Sequence, residues 1–246
     1  MSESDMKNKS VQYKALGAFP SFSIYIFSAL LLWFQTRIAI PQLSAWTGWE
    51  PVLFWFITAG LGVFLPLIII GYILLRKEGF SLSRSTFKNR LWFRPMTGKD
   101  WKITGITFLA AGLLSFLIMQ GLTYLLGEFS TQPPFMTFEP LTPGRYWYLL
   151  VWLPYWFLNI LGEEFLWRGV MLPRQEVAWG KSAYFWHGLG WLIFHIPFGW
   201  GLIATMLPLL ILLPRAVQKQ QNSWIGVILH AVINGPAFIA IALGYL

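Results

Sequence analysis

The chain has no cysteine, which removes thiol nucleophiles, cysteine-based zinc sites and disulfides from consideration. Charge is almost as scarce: Asp, Glu, Lys and Arg supply 11% of the 246 residues, where a soluble domain carries about 25%. No H-E-x-x-H stretch is present, so the usual helical zinc-protease arrangement is missing, and no G-x-S-x-G marks a serine hydrolase. Internal repeats and low-complexity tracts are also absent. The longest polar segments, 76–102 and 127–145, are too short to fold alone.

What fills the chain instead is apolar sequence. Hydrophobic residues make up 56%, with 15 tryptophans. Uncharged runs extend from Lys14 to Arg37, Glu50 to Arg76, Lys102 to Glu128 and Gln220 to the C-terminus, each longer than the roughly 20 residues that cross a bilayer as a helix. The run from Ser182 to Pro214 is too long for one span and is broken at "IPFGWG", which predicts a hairpin of two helices. Another apolar segment begins at Tyr146 and continues to Leu172, with Pro173 as its expected stop. The fold expected is all-α: a polytopic integral membrane bundle of about seven transmembrane helices in a single domain over residues 1–246.

Positive charge sets the expected orientation. Placing the N-terminus, the 76–102 segment and the turns near 173–181 and 215–222 in the cytoplasm, with Arg168 counted in the cytoplasmic half, collects every Lys and Arg except Arg37 and Arg145. The 76–102 segment alone holds eight basic residues against Glu78 and Asp100. Anionic lipid is the expected partner of this charge, and nucleic acid is not. The first helix is read as retained, because no small-residue cleavage site follows it.

Within the apolar segments the ionisable residues are few, and all lie in the second half. They are Glu163, Glu164, Arg168, His187, His195 and His230, with the amide Asn234. Residues 1–145 are accordingly read as scaffold helices and 146–246 as the catalytic core. Glu164 and Arg168 are one helical turn apart and form a natural ion pair. Glu163 is rotated by about 100° from Glu164 and cannot share Arg168 as easily. Trp191 and His195 share a face, as do His230 and Asn234. At about 1.5 Å per residue from the nearest basic anchor, Glu163 and His230 lie roughly 16 Å deep and His195 roughly 21 Å. His187, close to Lys181, reads as a packing residue.

A carboxylate in a wet apolar pocket can act as a general base on water, an imidazole can orient that water or relay its proton, and a histidine with an amide can donate to an oxyanion. That equipment suits hydrolysis of a peptide bond without a covalent intermediate. Three motifs sharpen the reading. "EEFLWR" matches E-E-x-x-x-R, "WLIFH" approximates F-x-x-x-H, and "HAVIN" matches H-x-x-x-N. In this order they resemble the CPBP (Abi) family of CAAX proteases and bacteriocin-processing enzymes, over residues 146–240. The resemblance implies a membrane-embedded glutamate protease in which Glu163 activates water, His195 assists it, and His230 with Asn234 holds the oxyanion. Glu164, Arg168 and Trp191 would support them, with Trp191 standing where the family usually has Phe.

The resemblance further implies a peptide or lipidated protein substrate, no cofactor and no metal, and a cavity opening to the cytoplasm from a bacterial inner membrane. Three alternatives use the same residues: zinc ligation by Glu and His, a proton-coupled transporter, and a scaffold or immunity protein that cuts nothing. Against transport, the polar residues lie in one half of the chain, where transporters usually show duplicated halves.

Overall fold

A computed structural model describes residues 13–136 and 139–245; the lysines at positions 7 and 9, assigned above to the cytoplasmic side, lie outside them. Helix accounts for 82% and strand is absent among the described residues. Seven long helical segments follow one another: α1 Ala18–Thr47, α2 Pro51–Lys77, α3 Gly98–Leu126, α4 over 148–179, α5 Ala183–His195, α6 Trp200–Gln220 and α7 Trp224–Ala242. By length and apolarity α1, α2, α3, α6 and α7 can cross a membrane. On that criterion α4, which carries the paired acids and Arg168 within its length, and the 13-residue α5 do not qualify.

Local chemistry sets the ends of these segments. Gly48, at φ +74, closes α1 in the left-handed region that favours glycine, and Pro51 then starts α2 at a position where its missing N–H costs nothing. Thr97 and Asp100 cap α3 reciprocally, each side chain accepting from the other's backbone N–H. Between α5 and α6 the chain makes a short 3₁₀ turn, Ile196–Phe198, and reverses at Gly199. Some of the aromatic residues pack the interior: Trp55, Trp167 and Trp191 are fully buried.

Pro173 does not end α4, contrary to the expectation from sequence. The helix widens to π-helical turns over Glu164–Met171, and a regular stretch restarts at Leu172–Trp179 with Pro173 in its first turn. At such a restart the missing N–H of proline leaves no broken bond. The widened turns find a partner elsewhere: buried Arg90 donates to the carbonyls of Gly169 and Val170 at 3.2 and 3.3 Å. Its Nε and Nη2 also donate to the Glu78 carboxylate at 2.9 and 2.7 Å, and Arg174 reaches the same carboxylate at 3.2 Å. The 76–102 segment therefore clamps α4 as well as carrying charge. Replacing Arg90 with Ala strips partners from two carbonyls and from Glu78, and should cost about 3–5 kcal/mol. Thermal unfolding of the purified variant in detergent measures this; an unchanged midpoint contradicts the clamp.

Candidate active site

Helix α4 approaches α2 closely where it presents its acids. A Cβ on Gly162 would lie 2.7 Å from the Phe64 carbonyl, so only glycine allows this contact, and the next residue, Glu163, is turned inward and 2% exposed. The Glu163 Oε2 accepts a hydrogen bond from the indole Nε1–H of Trp191 at 2.6 Å. His195, one turn later on α5, donates Nδ1–H to the Trp191 carbonyl at 2.8 Å. A carbonyl can only accept, so the neutral ring keeps a lone pair on Nε2.

Glu163 and His195 line one cavity of about 270 Å³ together with Asn159 and Asn234. Aromatic and aliphatic side chains form the rest of its wall, among them Trp55, Trp152, Trp156 and Phe198. Asn159 went unnoticed in the sequence; it stands one turn before Glu163, and that spacing was the available signal.

Glu164 points away from this cavity. Its Oε1 accepts from Arg168 Nη1 and from His230 Nδ1, both at 3.0 Å. Arg168 is fully buried and lays its guanidinium over the Trp191 ring, 3.6 Å from the centroid, a cation–π contact strengthened by the absence of water. Both imidazoles meet the same indole edge-on, His195 at 5.3 Å and His230 at 5.9 Å between ring centres. Trp191 thus joins the ion pair to the cavity acid, a link hidden from the sequence because it depends on which way the indole N–H points. Gly226 on α7 makes room for this layer, since a Cβ there would collide with Glu164 Oε2.

The structure therefore brings Glu163, His195 and Asn234 to one cavity, and sets His230 beside it on Glu164. His230 is not among the cavity-lining side chains. With Nδ1–H committed to the carboxylate, its Nε2 donates only when the ring is protonated. His187 stays in packing, within hydrogen-bonding reach of Tyr25 and Gln175 at 2.9 and 2.7 Å. Among the described residues no three His, Asp or Glu side chains are grouped to hold a metal ion.

The cavity has a direction along the bundle. On α4 it is lined by residues that precede Glu163, on α7 by residues that follow His230, and Met136 from the segment before α4 completes it. On the other side of Glu163, every residue from Glu164 to Pro173 is buried, with Phe165 against Phe87 and Gly169 against Leu91 and Phe93. The 76–102 segment and the widened turns of α4 seal that end, so the cavity extends away from the basic segments.

Trp191→Phe keeps a ring against Arg168 but deletes the donor to Glu163. A hydrogen bond to a charged group contributes about 1.5–3 kcal/mol, so turnover should fall between about tenfold and about a hundredfold with little change in KM. Steady-state kinetics with a cleaved peptide checks this; an unchanged kcat rules out a positioning role.

No curated protein and no solved structure matches the chain. Residues 145–235 match the family described as type II CAAX prenyl endopeptidase Rce1-like, a region that includes both acids of α4, Trp191, both site histidines and Asn234. Over that region the chain is similar to the CAAX proteases that its three motifs also resemble.

Proposed function

We propose that this protein is an intramembrane endopeptidase that hydrolyses a peptide bond in a membrane-held or lipidated peptide, using water activated by Glu163. The observation that carries the reading is the convergence of Glu163, His195 and Asn234, from three helices, on one apolar cavity. In the reaction a water oxygen attacks the scissile carbonyl carbon while its proton passes to Glu163, and His195 orients the water through Nε2. The tetrahedral oxyanion is met by the Asn234 carboxamide, with His230 behind it as a second donor when protonated. Glu163 then returns the proton to the leaving amine as the C–N bond breaks. No covalent intermediate forms and no cofactor takes part.

Glu164 and Arg168 act beneath this step as positioning residues. They hold His230 and, through the face of Trp191, the indole that donates to Glu163. The aromatic wall suits an apolar tail or side chain next to the scissile bond.

The test is cleavage of a panel of membrane-anchored and prenylated peptides by the purified protein and its His195→Ala variant. Cutting by the wild type and none by a folded His195→Ala supports the reading. Folded wild type that cuts no member of the panel argues for a scaffold or transporter, which flux in liposomes separates.

A further inference from the structure

The cavity and the positive charge lie at opposite ends of the bundle. Its lining on α4 runs from Trp152 to Glu163, toward the end that begins at Tyr148, and its lining on α7 runs from Ile233 to Ile241, toward Ala242. Met136 belongs to the connection between α3 and α4 at that same end. There the described charged side chains are Arg37, Glu50, Glu128, Glu139 and Arg145, and Arg145 is paired with Glu50. The other end carries the basic segment 76–102 together with Lys14, Arg174, Lys181, Arg215 and Lys219. Positive residues of short loops stay on the cytoplasmic side. Among the lining residues Asn234 and Ala237 are the exposed ones, and both sit on α7, a helix long and apolar enough to span.

From this opposition we propose that the cavity is reached from the non-cytoplasmic half of the membrane. Its substrate is then a peptide held in that leaflet by an apolar segment, with the scissile bond reaching Glu163 past Asn234 and Ala237. The substrate class rests on the proteolytic reading above; the side of access rests on geometry and charge alone. A bond presented from the cytoplasm would have to pass Glu164 to Pro173, all buried against neighbouring elements. A cavity that performs hydrolysis must also hold water, so a small polar reagent can follow the same route.

The absence of cysteine makes this directly measurable. Ala237→Cys places a single thiol on the cavity wall, Leu202→Cys places one on the facing helix α6, and Lys88→Cys marks the basic segment. Each is expressed in cells and exposed to a membrane-impermeant, positively charged thiol reagent, first with the cell membrane intact and then as inverted vesicles. The expected result is labelling of the cavity thiols in intact cells with loss of that labelling in sealed inverted vesicles, and the reverse for Lys88→Cys. Labelling of both cavity thiols only in inverted vesicles, or only after denaturation, overturns the proposal, as does labelling of Lys88→Cys in intact cells. The readout needs no cleavage, so an inactive wild type would end the proteolytic reading while leaving the side of access decided.

Discussion

Glu163→Gln should abolish cleavage while leaving the fold intact. The substitution keeps the shape of the side chain and a carbonyl oxygen that can still accept from Trp191, but the amide cannot take a proton from water. General-base catalysis contributes about 10²–10⁴-fold, and activity should fall by that much or to background. Because Glu163 is bonded to Trp191 and, among the described residues, to no Lys or Arg, removing its charge strands no buried arginine. The unfolding midpoint should therefore stay near that of the wild type. Turnover and thermal unfolding of one preparation check both halves. Retained activity would remove Glu163 from the mechanism, and a collapsed fold would make it structural.

Arg168→Met reverses that pattern. The guanidinium is fully buried, bonded to Glu164 and stacked on Trp191. Removing it leaves a carboxylate in the interior with His230 as its remaining described partner. Breaking a buried pair on one side costs about 3–5 kcal/mol, a large share of the stability of most domains. Replacing both partners, Glu164→Gln with Arg168→Met, removes the stranded charge as well. The double variant should recover much of the lost stability and still cleave poorly, since the support beneath Trp191 and His230 is gone. Unfolding of the two single variants and the double variant closes the cycle. Equal stability of Arg168→Met and wild type would show that the pair contributes nothing to the fold.

Those two residues lie five positions apart on one helix, and the sequence already distinguished them: a partner one turn away explains Glu164 and Arg168, and nothing on its own helix explains Glu163. Helical spacing also placed Trp191 with His195. The all-helical membrane class was legible because uncharged runs of that length have few other uses. What could not be read were the contacts between segments remote in the chain. The Arg90 clamp joins residues 79 and 80 positions apart, and no local pattern announces it. The wide turns of α4 hid behind Pro173, which looks like a stop unless the turns before it are known to change pitch. The pairing of His230 with Glu164 spans 66 positions; equal depth grouped His230 with Glu163 and carried no sign of its bond to Glu164. The end of the bundle toward which the cavity extends was equally illegible, because the burial of Glu164 to Pro173 is a property of packing.

In the proposed reaction a glutamate, and no metal, activates the water that cuts the peptide. The most direct measurement is the cleavage rate of a membrane-anchored peptide by purified wild type before and after exhaustive chelation, with bound metal quantified in the same sample. The expected result is an unchanged rate in metal-free protein. Activity lost on chelation and restored by added zinc would contradict it.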